Sequence, residues 1–200
     1  MNSDSEIVRR SLDEPEAFGV LYERHVGLVY RYTISRVGKD LADDVTSETF
    51  LVAFRRRRGF DPERGQVTAW LLGIATVLLK RHARAEARAL RSAAAEVAAT
   101  SIPADVFEAL GSRLDAEALV GRLGEAIARM PAKHRDVLLL HAWADLDYPG
   151  IAQALGIPEG TVASRLNRAR ARLRAVAEAG GARDVEVEHG RVDSRARHAQ

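Results

Sequence analysis

The apolar positions of this chain recur at helical spacing through most of its length, broken by one long stretch and a tail where the pattern fails. Phe18, Leu21, Tyr22, His25, Val29 and Val37 share a helical period. Asp13-Glu14-Pro15-Glu16 ahead of them reads as a helix start, with Asp13 as the cap and Pro15 in the first turn. A second helix is expected from about Asp40, carrying Leu41, Val45, Phe50, Val52 and Phe54. It runs into Arg55–Arg58 and stops at Gly59. Phe60-Asp61-Pro62-Glu63-Arg64-Gly65 reads as a loop. Trp70, Leu71, Ile74 and Leu78 mark a third helix that continues through Lys80-Arg81-His82-Ala83-Arg84.

Between about Ala85 and Asp115 the alanine-rich sequence offers little to bury and reads as a linker with one short helix. Periodicity returns at Leu119, Leu123, Ile127 and Met130, and Pro131 closes that segment. Val137, Leu138, Leu140 and Trp143 belong to the next helix. Two more are expected at Tyr148–Leu155 and roughly Glu159–Ala177. The pattern predicts an all-α protein of two small helical domains joined by a flexible linker. The boundaries fall at an N-terminal lead 1–12, a first domain 13–91, a linker 92–115, a second domain 116–178 and a tail 179–200. That tail mixes charges without helical period and is expected to be disordered.

The segment Ile151–Val162 holds the parts of a helix-turn-helix. Ile151, Ala152 and Leu155 form an inner face, Gly156 permits a tight turn, Ile157 plugs the core, and Pro158 opens the second helix. That helix carries an apolar stripe of Val162, Leu166, Ala169, Leu173 and Val176. Half a turn away lie Gly160, Ser164, Asn167, Arg168 and Ala171, flanked by Arg165, Arg170, Arg172 and Arg174. A helix entering a DNA major groove needs this arrangement. Short side chains admit the backbone, Asn and Arg read base edges, and marginal arginines hold phosphates. A merely solvated face would mix signs for i,i+4 pairing, whereas Glu159–Arg174 carries five arginines against one acid.

Composition removes other classes of function. Apolar residues make up 46% and charged residues 29%, as in a folded soluble chain, and aromatics only 6%, so small aliphatic cores are expected. The formal charge of +2 says little beside the local arginine clusters. Cysteine is absent, which excludes disulfides and thiolate zinc sites. The longest apolar run, Ala69–Leu79, is too short to span a bilayer. The N-terminus is acidic and polar, unlike a secretion signal, so a cytoplasmic protein is expected. His25, His82, His134 and His141 are scattered, and no nucleophile–base pair, phosphate loop or metal spacing occurs. No enzyme is expected, and hence no catalytic residue, metal or cofactor.

The stretch Asp145–Arg174 resembles the C-terminal DNA-binding domain of extracytoplasmic-function sigma factors, a group within the sigma-70 family of RNA polymerase subunits. Leu41–Phe50 resembles the polymerase-binding helix of that family, and Trp70–Ala75 its promoter-melting segment. The two matches stand in the family's order, across about Phe18–Arg91 and Leu119–Ala177. The resemblance implies a first domain that docks on core polymerase and opens the −10 element, and a second that reads the −35 element. Core RNA polymerase and promoter DNA are the implied partners, and the resemblance admits an anti-sigma factor.

On that resemblance, Asp43, Asp44 and Glu48 meet the polymerase. Two acids could instead simply favour a helix N-terminus. Phe60, Arg64, Trp70, Lys80, Arg81 and Arg84 serve the −10 element and melting, with Arg55–Arg58 also suited to phosphates. Trp70 also lies on the Leu71-Ile74-Leu78 stripe and fits a core role. Ala163, Ser164, Arg165, Asn167, Arg168, Arg170 and Arg172 serve the −35 element. Val77 stands where the family commonly has a polar residue, and Pro149-Gly150 where it has an acidic pair. Two other readings remain. A helix-turn-helix regulator would bind an operator without polymerase, and a helical adaptor would turn its basic faces to acidic proteins or RNA.

Overall fold

The computed structural model describes residues 3–63, 65–94 and 114–196, with the side chains of 90–94, 114–118 and 180–196 outside the description. Eight α-helices and no strands occur among these residues: α1 (Asp4–Arg10), α2 (Phe18–Val37), α3 (Lys39–Arg56), α4 (Val67–Ala94), α5 (Leu114–Ala128), α6 (Ala132–Ala144), α7 (Tyr148–Leu155) and α8 (Glu159–Ala196). The expected linker 92–115 falls almost wholly outside the described residues. So do the side chains of the tail beyond Ala179, through which the α8 backbone continues to Ala196.

Helices α1 to α4 form the first domain. Leu21, Val29 and Tyr32 from α2 meet Val45 and Phe50 from α3 and Leu71, Leu72 and Ala75 from α4, all buried. Burial of this kind contributes about 25 cal/mol for each Å² of apolar surface removed from water. Phe18 lies edge-on to Phe54 with ring centroids 5.4 Å apart.

The N-terminal lead turns out to be an element of the domain. Ser3 and Glu6 form a reciprocal capping box on α1, and Ile7 and Val8 are buried. Asp4 accepts hydrogen bonds from Arg24 at 2.8 Å and His25 at 2.7 Å, pinning α1 to α2. Against the cost of partial burial, those bonds hold the Asp4 carboxyl below its ordinary pKa. Asp13 does not cap the following helix. Its amide is taken up by Arg10 in the turn that closes α1, and the chain enters α2 through a 3-10 turn at Pro15–Ala17 with no side-chain cap.

Helices α5 to α8 form the second domain around Val137, Leu140, Ile151, Val162, Leu166 and Ala169, each fully buried. Pro131 precedes α6, and Asp145 in the left-handed region ends it. Asp147 caps α7 by accepting from the Gly150 amide at 2.8 Å. A Cβ at Gly150 would stand 2.9 Å from that same carboxylate oxygen. The cap therefore accounts for the glycine next to Pro149.

The two domains are not held apart in this structure. Helix α6 lies on α2 and α7 lies on α4, and their buried residues join into a single core cluster. At Gly73, in the interior of α4, the helices approach so closely that a Cβ would sit 2.7 Å from the Ala154 carbonyl oxygen. Gln153 reaches across as well, accepting from the Gln66 amide at 3.0 Å and donating to its carbonyl at 3.2 Å.

Candidate nucleic-acid interface

Helix α8 is positioned by its inner stripe. Val162, Leu166 and Ala169 are fully buried, and Leu173 and Val176 partly so, which turns the opposite side outward. Gly156, with φ of 62°, ends α7 in the left-handed conformation that the tight turn requires. Ile157 packs against the core, and the Pro158 carbonyl accepts the first amides of α8 from Thr161 and Val162.

Ser164, Asn167, Arg168, Arg170 and Arg172 are exposed, while Ala163 and Arg165 are partly buried at the edge of the face. Asn167, Arg170, Leu173 and Arg174 line one open groove. Arg170 lies 2.9 Å from His141 Nε2, and His141 Nδ1 lies 3.2 Å from the Leu146 carbonyl. Only a ring that carries its proton on Nδ1 satisfies both contacts, with Arg170 donating to Nε2. His134 lies near the same arginines. Burial, and then Lys133, Arg168, Arg165 and Arg172, press its pKa below the ordinary value.

A second basic face lies on α4. Val77, Arg81, Arg84 and Arg88 recur at helical spacing and line one open groove, and Val77 is 65% exposed. Near the start of the helix the Phe60 and Trp70 rings meet at a 42° tilt with centroids 5.0 Å apart, both partly buried. Arg64 lies outside the described residues. Arg57 serves the fold: it covers the Phe54 ring at 3.9 Å and donates to the Ser11 and Phe54 carbonyls. Arg55, Arg56 and Arg58 remain exposed.

Two of the expected cations have acidic partners. Arg81 donates to both carboxylate oxygens of Glu48, which joins a residue assigned to DNA with one assigned to polymerase. Lys80 pairs with Asp136 of α6 at 2.8 Å. Asp43 and Asp44 are exposed on α3 with Glu48 one turn further along. Sequence reasoning missed Asp136. It sits at the head of the buried run Asp136–Leu140 and is itself 1% exposed. A charge entering an apolar run was the available signal, because such a group is almost never buried without a partner.

Fold and faces define a two-domain helical protein built to grip nucleic acid, with a helix-turn-helix at one end and a basic helix at the other. Residues 21–89 match the sequence profile of Sigma-70 region 2, and residues 121–173 match that of Sigma-70, region 4. The chain is 31% identical over 165 residues to the ECF RNA polymerase sigma factor BldN of Streptomyces coelicolor, a match covering 82% of this chain and 61% of BldN. It is 30% identical over 158 residues to the ECF RNA polymerase sigma factor SigL of Mycobacterium tuberculosis, covering 77% of this chain and 85% of SigL. Its fold is similar to that of CnrH bound to the cytosolic domain of CnrY, with a TM-score of 0.65 at 23% identity, covering 89% of this chain and 99% of CnrH. It is likewise similar to the sigma factor RpoE bound to the anti-sigma factor NepR from Bartonella quintana, with a TM-score of 0.64 at 21% identity, covering 82% and 98%. The chain belongs to the extracytoplasmic-function group of the sigma-70 family.

Proposed function

We propose that this chain is a sigma factor that binds core RNA polymerase and directs promoter-specific initiation of transcription. The observation that carries the reading is the outer face of α8, where Ser164, Asn167 and Arg168 are exposed opposite a fully buried stripe. Those side chains would read base edges of the −35 element, with Arg165, Arg170 and Arg172 toward the phosphates and Ala163 allowing close approach. On the first domain, Arg81, Arg84 and Arg64 would hold the −10 strand, and Lys80 would join them when released from Asp136. Phe60 and Trp70 form an aromatic pair that one splayed base could extend. Asp43, Asp44 and Glu48 would dock on the polymerase.

The protein would act in the cytoplasm, by binding and without catalysing a reaction of its own. Among the described residues no helix is long and apolar enough to cross a membrane. An anti-sigma factor is the kind of regulator the reading admits. Run-off transcription with purified core polymerase over a library of upstream DNA tests the proposal. Discrete start sites that depend on this chain support it. Sequence-specific binding by the free chain, with no change on adding polymerase, would instead indicate an operator-binding regulator.

A further inference from the structure

We propose that the seam around Asp136 is an autoinhibitory latch: the second domain holds itself over the strand-opening segment of the first, and the seam must part before a promoter is engaged. The proposal rests on the sigma-factor reading for its consequence, but the latch itself is a property of the free chain.

Asp136 bridges two helices of the other domain. Its Oδ1 lies 2.8 Å from Arg36 of α2 and its Oδ2 lies 2.8 Å from Lys80 of α4, with the Asp136 and Arg36 side chains 1% and 7% exposed. Arg36 also donates to the Tyr32 hydroxyl at 3.2 Å, and that hydroxyl meets Thr76 at 2.8 Å. A chain of polar contacts thus runs from the interior of the first domain to α6 of the second. The Asp136 oxygens are held at ion-pair distance without a well-aligned hydrogen bond.

Such a contact is specific and releasable. Burying two charges costs most of what their attraction returns, and an apolar residue of like volume would hold the seam at least as firmly. When the seam opens, each ion regains its water. The closed state is therefore defined by Asp136 without being made irreversible by it.

The covered surface adjoins the face assigned to the promoter and includes part of the Trp70–Ala75 segment and Lys80. Gly73 lies within the Trp70–Ala75 segment, and a Cβ there would press against the Ala154 backbone, 2.7 Å from its carbonyl oxygen. Glycine is a poor helix-interior residue, and the close approach of α7 is what this glycine permits. Gln153 holds both the amide and the carbonyl of Gln66, at the mouth of the loop that leads into α4, and lies where a Cβ at Gly65 would fall. Lys80 is engaged by a carboxylate where DNA would offer a phosphate, so the two anions compete for one ammonium.

Distance makes the opening obligatory. Elements centred at −10 and −35 are about 25 base pairs apart, roughly 85 Å at 3.4 Å per pair. A compact chain of this length has a radius of gyration of about 16 Å, so the closed form cannot hold both elements. Whatever engages the open form shifts the balance only by its preference for that form.

The test uses the full chain, whose lack of cysteine allows clean labelling. Spin labels at Glu23→Cys and Lys133→Cys, both exposed, report the inter-domain distance, and circular dichroism checks the fold. The parent should give one narrow distribution. Asp136→Asn should broaden and lengthen it, and so should Gly73→Ala, which removes no charge and improves helix propensity. The unlabelled variants should associate with core polymerase at least threefold faster than the parent. A broad parental distribution, or a narrow one kept by both folded variants, overturns the latch. Broadening without faster association overturns its inhibitory role. If no version binds polymerase, the sigma-factor reading fails while the distances still decide whether the latch exists.

Discussion

Arg81 of α4 donates to both carboxylate oxygens of Glu48 on α3. This single contact ties the helix assigned to polymerase docking to the helix assigned to strand opening. The Arg81 side chain is 58% exposed and that of Glu48 30%. An ion pair this open contributes about 0.2–1 kcal/mol to stability. Its functional effect should be larger, because each partner withholds the other from an external ligand.

The first prediction separates those roles. Glu48→Gln should leave thermal stability nearly unchanged while strengthening single-strand DNA binding, since Arg81 is released to a phosphate. The salt dependence of binding should steepen by up to about one unit. Charge reversal at the exposed Asp43 and Asp44 should instead weaken core-polymerase binding and leave DNA affinity alone. A Glu48→Gln protein with unaltered DNA affinity across a salt series would mean that Arg81 does not reach the strand.

Val77 motivates the second. At 65% exposure it stands in the groove beside Arg81 and Arg84, so a polar replacement disturbs no core. Val77→Asn should change stability by less than about 0.5 kcal/mol, while altering or sharpening the −10 preference. Identical preferences for both versions in a promoter-library selection would show that −10 discrimination rests on other residues, with the Phe60–Gln66 loop the first to examine.

Most of the element order was legible, for a physical reason. Helices such as α7 and the first turns of α8 are set by local signals: Gly156 at the turn, Pro158 opening the second helix, and a stripe from Val162 to Val176. What the pattern could not show was contact at long range. The amphipathic signal of α1 is only Ile7 and Val8, too short to register, and Asp4 becomes informative only once Arg24 and His25 are beside it. The seam was invisible for the same reason. Arg36 and Gly73 look ordinary in sequence, Asp136 shows only as a charge at the head of an apolar run, and Lys80 only as one cation of a basic helix. The docking of α6 and α7 is what joins them. The exposed, arginine-bearing face of α8 was legible because it is the complement of a buried stripe. The pairing of Arg81 with Glu48 was not, because it depends on how two helices cross.

The third prediction concerns pH. Burial and the neighbouring cations Lys133, Arg168, Arg165 and Arg172 depress the pKa of His134 below 6.5 in the folded chain. The unfolded chain then takes up the proton first. Above about pH 6.5 both states are neutral at this site and it contributes no pH dependence. As pH falls below that value, the folded state loses stability until the folded imidazole also protonates. Other groups also contribute to acid sensitivity, so the comparison has to be differential. Thermal unfolding of the full chain from pH 7.5 to 5.5 should show a smaller loss for His134→Gln than for the parent. Parallel curves would remove His134 as a source of acid sensitivity.

The last prediction divides the arginines of α8. Arg168 is exposed on the same outer face as Ser164 and Asn167, opposite Val162, Leu166 and Ala169. It has the reach and the donors to engage guanine, so Arg168→Ala should cost about 1–3 kcal/mol on the preferred −35 sequence and relax preference at one or two positions. Arg165, Arg170 and Arg172 lie toward the margins. Replacing any one that contacts a phosphate should weaken binding alike on every sequence and lower the salt slope by about one unit. Arg170 carries a further condition, because His141 accepts from it and fixes its direction. His141→Phe removes that acceptor, and should therefore weaken binding in the manner of a lost phosphate contact without changing base preference. Holoenzyme binding to matched and mismatched −35 DNA across a salt series separates the two classes. An Arg168→Ala protein weakened equally on all sequences would place that side chain on the backbone, and base reading would then rest on Asn167 and Ser164.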